Sequence, residues 1–582
     1  MDVKLIKPLR KRWSWPFGLW LWISVELFLL CVAFGTQLDF AWNVLEISLA
    51  PSAVISLILF IRLLFFRRFR RFLFWGSVGL AILVVVFYVE EDWRGVHAWN
   101  SFRREWEAKG ETFDWQKMIP PPVQDGQNFA LTPIVYSSYG QVFDRQGHLK
   151  NPPDTNVVDR LILNLGGFNY PEPSFVEPAT WCLGMKIDLI AWQKHFQTQS
   201  DQANRFPISS IPETPAQDVL LALSRYNETL DKLGRAAQLP ESRFPLDYDR
   251  ADPFEIDLSH LASLESCSKT LSLRAVAELQ EGRVIAAHSD VQLIFRLMAA
   301  IQKEPFLSSL FARKGMARVV LQPVWEGLAD HRWSDDQLAV QNEELAKLNF
   351  VSDYNDTMHG EMAMGLRSIE YLRREPGMVE RVFVFSFDRD PQAPPGLGSR
   401  VIGGAIPSGW FYQNQVDLAD FVLKYIIPAA DMSHATFSPT VISFGRNAID
   451  ADAYPFPYWG LARSMLGGLG YSAQGFAFAQ ASTDMARIAI ALERYRLLHG
   501  FYPEKLDVLS QQFLAQIPHD PIGGQPFHYR LETNGQFTLY SIGWNEKDDG
   551  GTIVLRKNSK TSLDLSEGDW IWRYPSTPET GK

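Results

Sequence analysis

The sequence predicts a membrane-anchored chain of three parts: three N-terminal transmembrane helices, a mainly α exported middle region forming an irregular helical array, and a C-terminal α+β domain with one helix on a small antiparallel sheet. Three observations carry this reading. Long apolar runs are confined to the stretch before Glu90. Apolar residues then recur at helical spacing from Ala216 to Glu375. One strongly periodic helix near the C-terminus is followed by turn signals and short alternating segments.

The apolar runs Phe17 to Gly35, Ser48 to Phe66 and Phe72 to Val89 each approach the roughly 20 residues that a helix needs to cross a hydrocarbon core. Lys4, Lys7, Arg10, Lys11 and Arg12 precede the first, no Lys or Arg lies between Gly35 and Glu46, and Arg67, Arg68, Arg70 and Arg71 fill the second gap. By the positive-inside rule the N-terminus is cytoplasmic and everything after Val89 lies outside, which makes this a multi-pass protein of a bacterial inner membrane with a periplasmic or extracytoplasmic bulk. A cleaved signal peptide would leave two spans, but Gly35-Thr36-Gln37 is a poor cleavage site. Glu26 and Arg62 fall inside spans, and mutual pairing explains them better than an ion pathway.

Length and charge bound the rest. With 582 residues the chain has room for several folded units, and a net charge of -10 without a repeated basic face excludes general nucleic-acid binding. Cys31 reads as a buried thiol within a span, and Cys182 and Cys267 leave one disulfide open. Boundaries fall after the membrane domain (1–92), after a juxtamembrane helix and Pro-rich linker (93–126), and between a mainly helical exported region (127–475) and the tail (476–582). Val96, Trp99, Phe102 and Trp106 mark the juxtamembrane helix, expected on or near the bilayer, and Pro120-Pro121-Pro122 ends it. Leu271 to Glu281 and Arg283 to Lys303 read as a helical hairpin turning at Gly282. Ser334 and Gln337 form a capping box, and Arg381 to Phe387 alternate like a strand. Ala405 to Gln415 is a polar-aromatic stretch that reads as a loop packed on a core, or as the lining of a groove.

In the tail, Met485, Ile488, Leu492, Tyr495 and Leu498 form a helical stripe stopped by Gly500 and Pro503. Phe527 to Glu532 and Gln536 to Ser541 are joined by Asn534-Gly535, a hairpin signal because both residues tolerate positive φ. Tyr495-Arg496 with His499-Gly500-Phe501-Tyr502-Pro503, then Asp520-Pro521 with Gly523-Gly524, then Tyr540-Ser541-Ile542-Gly543 and Asp548-Asp549-Gly550-Gly551 resemble the soluble domain of the major pseudopilin of type II secretion. Other segments, such as Gly568-Asp569-Trp570-Ile571-Trp572, resemble uncharacterised bacterial membrane-anchored proteins with such a tail. The resemblance implies a calcium site at Asp548 and Asp549, with a solvated acidic turn as the alternative. The family's leader pattern is absent, since Leu19 follows Gly18 and the glutamate is Glu26, so polymerisation as a pilin is not expected.

The sequence contains no His-Glu-x-x-His, Walker A, Gly-x-Ser-x-Gly or Cys-x-x-Cys pattern. Gly468-Leu469-Gly470 imitates a dinucleotide fingerprint without a preceding strand, and His359-Gly360-Glu361 and His288-Ser289-Asp290 read as surface polar residues. No catalytic residue is assigned. Two functions of different class remain open: an envelope interaction or scaffold protein that binds other envelope proteins, linked to a secretion or pilus-like assembly, and an exported hydrolase with a non-standard site in 206–410. A broad helical groove would favour the first and a deep pocket of His and carboxylates the second.

Overall fold

The structure is a computed structural model that describes residues 66–136, 181–199, 206–379, 397–450 and 460–574 apart from isolated positions, together with 161, 163, 165 and 458. Except for Phe66, the first two expected spans lie outside these residues, as do Cys31, Glu26, Arg62 and the strand expected from Arg381 to Phe387. The described chain is mostly helical, with small antiparallel sheets toward the C-terminus, and its compact units are Met1–Trp93 and Arg94–Lys582.

The third expected span is part of α1, Arg67–Ala108, a single helix of 42 residues. A rise of 1.5 Å per residue makes it about 63 Å long. Among the described residues it is the one helix long and apolar enough to cross a membrane, and none of its most apolar 18-residue stretch is buried. The juxtamembrane helix is therefore continuous with the span. It does not offer its apolar face to the bilayer: Trp99, Phe102 and Trp106 are half-buried against Phe113 and the main core. Gly95 permits a backbone contact, because a Cβ there would fall 2.2 Å from the carbonyl oxygen of Gly409.

The body is built around α2 (Asn227–Ala236), α3 (His260–Gln280), α4 (Val284–Ala300) and α5 (Leu307–Ala329). The hairpin α3–α4 turns at Gly282 as expected, with φ 73. The N–H of Gly282 reaches Leu279 O and that of Arg283 reaches Glu278 O, the paired bonds of a Schellman cap. The capping box at Ser334 opens α6, Asp335–Ala346, with both reciprocal bonds formed. Helix α7, Phe350–Arg374, follows. From Ser408 the polar-aromatic stretch is helical rather than a loop: α8, Ser408–Phe421, packs on α7, with Gln415 donating to Leu366 O, while Asn414 accepts from the N–H groups of Leu461 and Ala462.

The tail helix α9, Ser472–His499, begins earlier than the apolar stripe and is buried along most of its length between α5, α6 and α7. It stops at Gly500, whose φ is 88 and whose N–H bonds Arg496 O at 2.7 Å. Strands β1 (His528–Leu531), β2 (Phe537–Ser541) and β5 (Trp570–Trp572) form an antiparallel sheet in the order β1-β2-β5, while β3 (Ile553–Leu555) and β4 (Leu563–Gly568) pair separately. The hairpin between β1 and β2 forms, but its turn differs from expectation. Only Gly535 has positive φ, at 80, while the Asn534 side chain accepts from the N–H of Gln536. The bond from Glu532 N to Gln536 O closes a three-residue loop with glycine last.

Candidate binding groove

Helices α2, α3 and α4 enclose an open groove of about 570 Å³. Leu230, Gly234, Ala237 and Leu293 supply apolar surface, and Arg235, Gln238, His288 and Ser289 are among the polar groups that line it. Its frame follows from the hairpin. Arg274 and Asp290 stand 16 residues apart, centred on Gly282, so an antiparallel turn brings them face to face. Their two bonds measure 2.7 and 2.5 Å, and Arg274 also reaches Asn227 Oδ1 at 3.3 Å, which ties all three helices together. Arg296 donates to the carbonyls of Ala237 and Leu239 and so caps the C-terminal end of α2.

Burial dominates the electrostatics here. It pushes the Asp290 carboxyl up against the pull of Arg274, and pushes Glu278 up to about 7, with the Asp290 charge adding to the effect. It pushes the His288 imidazole down, which favours the neutral ring at pH 7. Gln341 Nε2 lies 3.4 Å from His288 Nδ1. The groove thus presents a neutral imidazole, amides, guanidinium groups and the Asp231 carboxylate beside apolar surface, a set suited to hydrogen-bonding a peptide rather than to proton transfer through Asp290, which Arg274 holds in place.

The structure brings His288, Ser289 and Asp290 to this groove, and Asp290 is buried rather than at the surface. The other sequence candidates separate. His359 bonds Glu111 at 3.1 Å through Nε2 and Asn355 O through Nδ1. Glu361 instead accepts the N–H of Leu307 at 2.6 Å, capping the start of α5, and burial pushes its carboxyl up. Gly468 to Gly470 form a turn into α9, and the described element before it is a helix, Gly460–Leu466, rather than a strand. Arg235, Arg274 and Arg296 were not legible as site residues; symmetry about Gly282 was the one signal that could have found Arg274.

Sequence reasoning also missed two buried polar clusters. His260 Nε2 lies 2.9 Å from Glu304, whose other oxygen accepts from Ser309 Oγ at 2.5 Å. This chain is closed to solvent, with His260 at 1% exposure and stacked 4.2 Å from Phe244, so it can hold helices in register but cannot meet a substrate. At the seam between body and tail, Glu493 accepts from His331 Nδ1, from Arg496 twice and from Tyr502 Oη, all within 2.9 Å. His331 has φ 53, and its N–H with that of Arg332 completes the Schellman cap of α5 that a glycine would ordinarily make.

In the tail, Asp548 accepts from the N–H of Gly550 and from Tyr540 Oη, while Asp549 accepts from Asn545 Nδ2. Buried Asp569 organises the loop by accepting from the N–H groups of Asp549, Gly551 and Thr552. Among the described residues no three His, Cys, Asp or Glu side chains converge as a metal site. Asp548 and Asp549 turn to different partners, so the loop as arranged is not a ready ligand set for a cation that takes six to eight oxygens. Cys182 and Cys267 are free, buried thiols, and burial pushes each up to about 12. Comparison with protein-family models, curated proteins and solved structures gives no match.

Proposed function

We propose that this chain is a membrane-anchored envelope protein whose exported helical body binds other envelope proteins. The observation that carries the reading is α1, an uninterrupted helix whose apolar stretch lies wholly exposed and whose C-terminal turns are packed by aromatic side chains. An apolar surface of that length is stable only in lipid or against another protein. Three spans, a cytoplasmic N-terminus and an outward bulk are the topology that the basic residues favour. The groove between α2, α3 and α4 suits a protein segment better than a small substrate, since it is open to solvent and has helical walls. The tail's likeness to a pseudopilin domain makes a secretion or pilus-like assembly the partner class.

Two measurements test this. Reporter fusions after Arg71 and after Trp99 should report cytoplasm and the exported side, and the reverse pattern would overturn the topology. Photocrosslinking amino acids placed at Gln238 and Ser289 in intact cells should yield a discrete protein adduct, lost when the partly exposed Leu293 is replaced by Asp. Hydrolysis that depends on His288, without any adduct, would instead establish the exported hydrolase.

A further inference from the structure

Helix α1 carries Arg67, Arg68, Arg70 and Arg71 at its start, all exposed, with no acidic residue in the same turn. Among the described residues no hydrogen bond or ion pair engages any of the four guanidinium groups. At about 100° per residue the four fall within roughly 160° of one helical face. Arg67 neighbours Arg70 and Arg71, and Arg68 neighbours Arg71, at the spacings of three and four that put side chains side by side. Like charges at those spacings oppose the helix, and an anion bridging each pair reverses the sign of the contact.

The surface one turn further along is apolar. Phe72, Phe74 and Trp75 are 72%, 62% and 68% exposed, and Phe74 and Trp75 stand edge to face at 5.5 Å. Phe74 follows Arg70 by four positions and Trp75 follows Arg71 by four, so both rings continue the arginine face at an axial distance of about 6 Å. No charged side chain occurs from Phe72 to Val89. The next acidic residues, Glu90, Glu91 and Asp92, begin about 29 Å along the axis from Arg71, well beyond a screening length of about 10 Å. The patch therefore joins concentrated positive charge to bare aromatic surface, which matches an amphiphile with an anionic head and an apolar body.

We propose that Arg67, Arg68, Arg70 and Arg71 bind the phosphates of anionic phospholipids, with Phe72, Phe74 and Trp75 covering the adjoining acyl carbons, a role that rests on α1 being a membrane span. A guanidinium meets phosphate oxygens through paired N–H bonds. Aromatic rings beside it occupy the level where headgroup gives way to hydrocarbon. A zwitterionic headgroup brings its own cation against four arginines, so the patch selects lipids of net negative charge.

The full chain, purified in a neutral detergent, is offered equimolar phosphatidylglycerol and phosphatidylcholine, and the lipids it retains are counted by native mass spectrometry. Phosphatidylglycerol should be retained at least fivefold more, and Arg71→Gln alone should lower that preference several-fold, by up to roughly fivefold. Arg67→Gln, Arg68→Gln, Arg70→Gln and Arg71→Gln together should abolish it. On the unaltered chain, a tenfold rise in ionic strength should also weaken the preference. Equal retention of the two lipids, a preference that survives the quadruple replacement, or one insensitive to salt would overturn the proposal. Displacement of phosphatidylglycerol by an equal concentration of inorganic phosphate would also overturn it, leaving a simple anion site. Flotation after detergent removal separates this from the anchor itself. A chain that floats with phosphatidylcholine vesicles but shows no lipid preference loses only the headgroup site, whereas one that floats with vesicles of neither lipid loses the membrane span.

Discussion

Replacing Glu493 by Gln should loosen the junction between the helical body and the tail. The carboxylate is 1% exposed and receives four hydrogen bonds from His331, Arg496 and Tyr502. An amide keeps the shape but offers one acceptor oxygen in place of two and turns an N–H₂ toward the Arg496 guanidinium. Loss of charge-assisted bonds at a buried site, discounted because Arg496 is partly exposed, gives about 3 kcal/mol of destabilisation. The pH dependence has a definite sign. Burial pushes the Glu493 carboxyl up, but the bonds from Arg496, His331 and Tyr502 outweigh it and hold the group below its usual range. A depressed folded pKa contributes stability above the unfolded value of about 4.3 and loses it as pH falls through the folded value. The gap between wild type and Glu493→Gln should therefore be constant at neutral pH and shrink below about pH 4. Urea denaturation of the detergent-solubilised chain, followed by tryptophan fluorescence, measures both. A loss under about 1 kcal/mol, or a gap that does not shrink in acid, would refute the reasoning.

Gly327→Ala should destabilise by about 2 kcal/mol or more, since the new Cβ would fall 2.0 Å from Trp333 Nε1 and break its bond to Val324 O; thermal melting checks this. Burial pushes Glu326 up to about 7, so this group costs stability as pH rises from about 4.3 to 7; Glu326→Gln should exceed wild type by roughly 3 kcal/mol at pH 8, by about 1 kcal/mol at pH 5, and match it below about pH 4. Because Asp548 and Asp549 turn to different partners, millimolar calcium should leave the melting curve of the full chain unchanged; a rise by mass action that the double alanine variant removes would establish a cation site there instead.

Local signals were legible in the sequence and long-range ones were not. Gly282, Gly500 and the Ser334 box each fix a helix end through contacts within a few residues, and all three appear as expected. A second capping box at Thr214 and Gln217 carries the same pattern and was equally readable. The end of α1 was misjudged because Glu90, Glu91 and Asp92 mark the edge of a membrane span but do nothing to stop a helix. The stretch around Gly409 read as a loop, whereas it is helical from Ser408 and its backbone approaches α1 so closely that Gly95 has no room for a Cβ. Asp290 was visible but not its partner, and Glu361 caps a helix whose start lies 54 positions away in the chain. His331 carried no sign of its conformation, since it fills a Schellman position usually marked by glycine, and its side-chain partner Glu493 lies 162 positions downstream.

The last described strand has a consequence for proteolysis. Trp572 packs 5.1 Å from Trp181, and the carbonyl of Arg573 receives the indole N–H of Trp325, so segments hundreds of positions apart close on one another through β5. A nick that released β5 would leave those tryptophans facing water, and would therefore be as damaging as one in α5.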